Sequence, residues 1–362
     1  MRFIQKRLSY LLIYMAKRII TFEKAINEAT IQEMERDSSV FLFGLDVTDH
    51  KKIFGTTQGL EKFGKVRFFG TPLSEDAMTG VALGAAITGL RPIHVHIRVD
   101  FLLLAMNQLI NMAAATSYNS AGQLHAPIVI RAVIGRGWGQ GPQHSKSLQS
   151  LFAHIPGLKV IMPSRPYDAK GLLTAAIRDN NPVIVIEHRW LHYIEGDVPA
   201  EPYTIPLGKS HILRKGKDIT IVATSWMNVE AFKAAEILLS KHGVEAEIVD
   251  VRTIYPLDDE TIVKSVKKTG YCIVADYDWE FCGFSAEVAA RVSEKCFTTL
   301  KSPVKRVAFP HVFTPTTRVL ENKFYPNAVT IIREVEKKLS LKEADLQGED
   351  FYSWENKFRG PF

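Results

Sequence analysis

Two side chains stand in settings suited to proton chemistry. In "RFFGTPLSEDAMTGVALGAAITG", residues 67–89, an apolar run stops at Gly70, Thr71-Pro72 turns the chain, and Glu75 sits at the mouth of a helix of small residues. An acid in a first turn offsets the helix dipole. The alternative is a catalytic carboxylate, whose proton affinity a pocket of low polarity would raise. The second candidate, His144, closes the glycine-rich loop "GRGWGQGPQHS", residues 135–145, which follows a strand-like run. Its glycines let the backbone approach a ligand closely, Trp138 supplies a wall, and the imidazole can carry a proton near neutral pH. A lone histidine is also often structural, and both readings stay open on the loop alone. The loop lacks the Lys-Ser/Thr ending of a phosphate loop, and the chain holds no GxGxxG after a strand and no GxSxG.

The elements that must position these groups alternate. Runs at 40–47, 93–100, 127–134, 158–164 and 182–189 read as strands, with helical patterns near 22–36, 75–89, 102–118 and 166–179. Such alternation predicts an α/β fold with a mostly parallel sheet covered on both faces. The Pro- and charge-rich stretch at 195–217 reads as a break. Beyond it a smaller α/β unit follows, with strands at 218–224, 245–251 and 271–277 and a helix at 227–241 stopped by Gly243. The expected division is a basic extension at 1–18, a first domain at 19–200, a linker at 201–217, a second domain at 218–340 and a polar tail at 341–362. The basic, acid-free opening reads either as a targeting segment or, the favoured expectation, as an upstream start with Met15 beginning the domain proper.

Hydrophobic content of 46% and a net charge of +6 are ordinary for a globular chain of 362 residues. No basic block is interleaved with aromatics, which argues against nucleic-acid binding. No apolar run approaches the ~18 residues of a membrane span. Three irregularly spaced cysteines, Cys272, Cys282 and Cys296, make neither a disulfide framework nor a zinc site and point to a reducing, cytoplasmic setting.

Six motifs come in order: "TPLSE" (71–75), "RVDFLLLAMNQLIN" (98–111), "GPQHS" (141–145), "HIPGLKVIMPSRPYDAKGLL" (154–173), "RDNNPVIVIEHR" (178–189) and "DVRTIYPLDDETI" (250–262). Over about residues 19–335 the chain resembles the β subunit of the decarboxylating component of 2-oxo-acid dehydrogenase complexes, among the transketolase-like thiamine diphosphate (ThDP) enzymes. The resemblance implies a pyrimidine-binding domain followed by a transketolase C-terminal domain. It implies that Glu75 hydrogen-bonds N1′ of the ThDP aminopyrimidine and so helps the 4′-nitrogen remove the C2 proton of the thiazolium. Phe101 matches an aromatic that stacks on the pyrimidine, Leu73 an apolar wall beside it, and His144 a histidine that meets substrate and acceptor. Backbone carbonyls of Ile128, Ala176, Asp179 and Asn181 match a structural potassium site of some relatives. The Gly-Asp-Gly motif of the Mg²⁺–diphosphate site does not occur. The resemblance therefore implies an α subunit carrying that site, an α₂β₂ heterotetramer, and an oxidoreductase that passes an acyl unit to the lipoyl group of an acyltransferase core.

The chain also departs from the family pattern. Leu45 replaces a common Glu, and the loop adds Arg136 and Trp138. His94, His96 and Arg98 make the strand unusually basic. Alternate residues share a strand face, so these three project together. They form either a partner-facing surface or a pocket for an anionic or polyhydroxylated substrate. A second function is thus kept beside the dehydrogenase: a ThDP-dependent carboligase, or split transketolase, delivering its unit to an aldehyde, ketone or sugar.

Overall fold

The structure is a computed structural model that describes residues 18–135, 139–349 and Phe351. Short strands β1 (Ile19–Thr21) and β8 (Glu195–Asp197) pair antiparallel and close the first domain near its ends. Between them lie β2 (Val40–Gly44), β3 (Phe68–Gly70), β4 (Arg91–His96), β5 (Val129–Ile134), β6 (Lys159–Ile161) and β7 (Val183–His188). After β8 come β9 (His211–Arg214), β10 (Ile219–Ala223), β11 (Ala246–Asp250), β12 (Thr253–Tyr255), β13 (Cys272–Trp279) and β14 (Lys305–Phe309).

The first sheet has the order β12-β6-β7-β5-β4-β2-β3 and is parallel except at β12. The second has the order β14-β13-β10-β11-β9, parallel except at β9. The central strands β5, β7 and β10 are buried along their whole length. This is why they read as continuous apolar runs rather than as alternation.

Several sequence expectations change. The strand expected over 93–100 stops at His96, where its pairing with β5 ends at Ala132. The helix expected over 102–118 starts earlier and is broken: a turn at Val99–Leu102, a 3₁₀ turn at Leu103–Ala105, a π-helical stretch at Asn107–Ala113 and a last turn at Thr116–Asn119. Such π insertions are frequent near functional sites. The stretch 201–217 is not a bare linker, since β9 lies in it and pairs with β11. β12, a strand not expected from the sequence and lying within the range given to the second domain, crosses over to edge the first sheet against β6.

The small-residue helix Glu75–Ile87 is not wholly buried. Thr79, Ala82, Leu83 and Ala86 face the protein, with Gly80 against Gln108, while Val81 and Ile87 are exposed. Small side chains permit the close contact on one side. The other side leaves apolar surface open.

Candidate active site

β4 and β5 deliver the two segments that meet at the site. Past β4, the turn Val99–Leu102 carries Asp100 and Phe101. Past β5, the glycine-rich loop ends in a 3₁₀ turn, Gly141–Gln143, and then His144. Gly141 has φ +55, and a Cβ there would lie 2.4 Å from Cγ2 of Thr316. Only glycine allows this loop to press on the second domain. Asp100 ties the two segments together. Its Oδ1 accepts from the Lys146 backbone N–H at 3.2 Å and from Lys146 Nζ at 3.1 Å, while Nζ also donates to the Pro142 carbonyl at 2.6 Å.

The Phe101 and His144 rings consequently meet edge-on, with centroids 5.4 Å apart and planes at 69°. They line a cavity of about 700 Å³ together with Arg98, Gln140, Gln143 and Thr316. An imidazole beside an aromatic wall, half open to a cavity of that size, can exchange a proton with a bound ligand. Trp138 and Arg136, named from the sequence as loop features, lie outside the described residues.

Glu75 is not among the residues lining this cavity. It stands at the first position of its helix, 6% exposed, and its carboxylate meets no hydrogen-bond donor or cation of the described chain. Its oxygens keep some contact with solvent and stay open to an incoming partner, and helix-dipole compensation alone does not need burial of the side chain. Leu73, two residues earlier, is 79% exposed. The structure thus joins Phe101 to His144, while Glu75 is buried outside the cavity lining and Leu73 is exposed.

The basic strand resolves into two kinds of group. His94 and His96 are both buried, so neither is a partner-facing surface. The His94 ring stacks on Phe43 at 4.5 Å, with Nδ1 3.4 Å from Thr79 Oγ1. Burial, with His96 beside it, holds His94 well below the usual imidazole range. Burial takes His96 down to about 3. Both are neutral at physiological pH and cannot attract an anion by charge. Arg98 keeps its charge and reaches the cavity.

Sequence reading missed Arg189, Gln140, Thr316 and the Asp100–Lys146 tie. Arg189 follows β7 and is fully buried, donating from Nη1 to Gln140 Oε1 at 2.6 Å. Burial, then repulsion from Arg98, lowers its guanidinium to about 9. Its only sequence signal is an arginine directly after a strand otherwise fit for the core.

Three of the four carbonyls considered for potassium already have donors. That of Ile128 accepts from Val183 N–H, that of Ala176 from Asp179 N–H, and that of Asp179 from Arg91 Nη1 at 2.9 Å. Lys159 pairs with the Asp179 carboxylate, whose Oδ1 accepts from the Asn181 backbone N–H. Two side-chain cations therefore stand at that corner.

The paired α/β domains are those of a transketolase-like protein. Residues 18–193 match the transketolase pyrimidine-binding domain, and residues 208–331 match the transketolase C-terminal domain. The chain is 42% identical over 332 residues to the acetoin:2,6-dichlorophenolindophenol oxidoreductase subunit beta of Cupriavidus necator, covering 89% of this chain and 98% of that protein. It is 44% identical over 312 residues to the 2-oxoisovalerate dehydrogenase subunit beta of Bacillus subtilis, covering 85% and 95%. It is 40% identical over 328 residues to the mitochondrial pyruvate dehydrogenase E1 component subunit beta of Mus musculus, covering 89% and 91%. The chain belongs to the β-subunit family of ThDP-dependent 2-oxo-acid dehydrogenases. A split-gene transketolase solved as an inactive beta4 tetramer superposes with a TM-score of 0.72 over 90% of this chain and 99% of its own, at 22% identity, a likeness of fold.

Proposed function

We propose that the chain works as the β subunit of an α₂β₂ 2-oxo-acid dehydrogenase, holding the aminopyrimidine end of ThDP and passing the acyl unit to a lipoyl carrier. The observation that carries this reading is the Glu75 carboxylate: buried at a helix start, with no donor from its own chain. Such a carboxyl group is free to share a proton with an aminopyrimidine nitrogen. Glu75 would share a proton with N1′, Phe101 would lie against the ring, and Leu73, now exposed, would complete the wall. ThDP, when bound, supplies the electron sink for decarboxylation. His144, half open to the cavity, would donate a proton to the substrate carbonyl oxygen or hydrogen-bond the acceptor.

An α subunit would supply the diphosphate and Mg²⁺ site, since this sequence has no Gly-Asp-Gly. The exposed Leu73, Val81, Leu104 and Met112 support a partner covering this side of the chain. A structural potassium ion would need the second lone pairs of the Ile128, Ala176 and Asp179 carbonyls, beside Arg91 and Lys159. Three free thiols support a cytoplasmic setting. The carboligase reading has weaker support. The relatives near 40% identity carry dehydrogenase or oxidoreductase names, whereas the split transketolase speaks only for the fold.

The test uses calorimetry with ThDP and Mg²⁺. Tight binding is expected in the α/β assembly and weak binding to the isolated chain. In the assembly, Glu75→Gln should abolish most exchange of the C2 proton of bound ThDP, followed by NMR. Unchanged exchange would refute the role given to Glu75. Tight Mg²⁺-dependent binding to this chain alone would refute the two-subunit site.

A further inference from the structure

We propose that Arg98 and Arg189 form an anion subsite at the edge of the Phe101–His144 cavity, which receives a carboxylate or phosphate group of the substrate remote from its reacting carbonyl. The inference rests on the cavity being the substrate end of the ThDP site, and it names the substrate class: a 2-oxo acid with a second anionic group.

Three nitrogens carry it. Arg98 is 6% exposed, and among the described residues its only acceptor is the Ile97 carbonyl, 3.1 Å from Nη1, while its Nε is buried without one. Arg189 has no exposed surface and spends Nη1 on Gln140, while its Nε and Nη2 are buried without acceptors. A buried guanidinium normally has its donors filled by a carboxylate or by carbonyls, because an unpaired buried charge is heavily penalised. Here two lie close enough for their charges to oppose each other. The carboxylates whose fields reach them are Asp100 and Asp46, with the phenols of Tyr277 and Tyr325 also facing Arg189. Asp100 is already engaged by Lys146, and Asp46 is exposed and makes no ion pair with either arginine.

One anion would fill the vacant donors and cancel the repulsion in a single step. Gln140 links the two parts of the site, since it both accepts from Arg189 and lines the cavity with Arg98 and His144. The anion is not the leaving carboxylate. Arginines clamped on that group would stabilise its charge in the ground state and oppose its loss as neutral CO₂. His94 and His96 take no part, being neutral.

The test uses the α/β assembly loaded with ThDP and Mg²⁺. Succinate and inorganic phosphate are titrated by calorimetry against wild type, Arg98→Met and Arg98→Lys, and subunit association is followed by size exclusion. Saturable binding of either probe, weakened at least about tenfold in Arg98→Met and partly restored in Arg98→Lys, is expected, since hydrogen bonds to charged groups carry effects of roughly that size. The tighter probe decides between a carboxylate and a phosphate. In steady-state kinetics, the preference for 2-oxoglutarate over 2-oxobutyrate should fall in Arg98→Met by about the same factor, chiefly through KM. Equal probe binding by wild type and Arg98→Met would overturn the subsite. So would separation of the subunits in that variant, which would assign the arginines to an acid of the α subunit. An assembly that fails to bind ThDP would instead overturn the reading of the cavity.

Discussion

Two clusters of buried charge in this molecule differ in one respect: whether their charged groups are paired. At the seam between the domains, Arg252 donates to Asp168 Oδ1 at 2.9 Å and to the carbonyls of Lys209 and Ser210, while its backbone N–H meets Asp250 Oδ1. Ser164 and Asn228 complete Asp250, and Arg165 completes Asp168. The network even holds Arg252 at φ +57, a backbone setting unfavourable to a side chain. At the cavity, Arg98 and Arg189 are equally buried and left with open donors. A satisfied network of buried charge is a structural clamp. An unsatisfied one at the lip of a cavity stores unmet binding capacity, and the two should respond oppositely to mutation.

The sharpest contrast concerns rate. His144→Ala should slow decarboxylation or the transfer after it by about 10²–10⁴-fold, the usual loss for one acid–base group. C2 proton exchange, assigned to Glu75, should remain, and so should the melting temperature. Single-turnover kinetics with the partner subunit separates the steps, and wild-type rates for both would remove His144 from the chemistry.

Arg252→Met should act the other way, leaving turnover chemistry in place while destabilising the fold by about 3–5 kcal/mol, because it strands buried carboxylates. Thermal melts of the assembly check this. A loss under about 1 kcal/mol would erase the distinction between the clusters.

A smaller effect depends on pH. His96 sits at about 3 in the folded chain against 6.5 when unfolded. The unfolded state therefore binds the extra proton between these values, and stability falls as pH drops through that window. At pH 5 the loss is about 2 kcal/mol as an upper figure. His96→Phe should flatten this acid limb when urea melts at pH 7 and pH 5 are compared. Asp250 works oppositely. Burial, then Asp168, raises its folded affinity for a proton, so its contribution is full below the unfolded value of 3.8 and declines as pH rises above it.

The smallest change is expected at the open cluster. Without an added anion, Arg98→Met should shift stability by less than about 1 kcal/mol, because it removes repulsion along with few bonds. With succinate or phosphate present, wild type alone should gain melting temperature. A large loss without the anion would mark Arg98 as a structural clamp like Arg252.

The motifs around Glu75, Phe101 and His144 were readable because they are local: a turn before a small-residue helix, an aromatic after a strand, a glycine loop ending in histidine. The alternation of apolar runs and helical patterns likewise determined an α/β protein of two units, since burial of both sheet faces imposes it on composition. The crossing of β12 to the first sheet was not readable, because nothing local separates a strand that stays from one that crosses. The basic strand shows the limit most plainly. Period two places His94, His96 and Arg98 on one face, and sequence can say no more than that. Burial then makes the two imidazoles neutral and leaves the guanidinium charged at the cavity. Arg189 lies 91 positions further along the chain. That its charge feels that of Arg98, and that neither pairs with an acid among the described residues, was decided only by tertiary packing, because desolvation and missing partners are properties of surroundings that distant segments create.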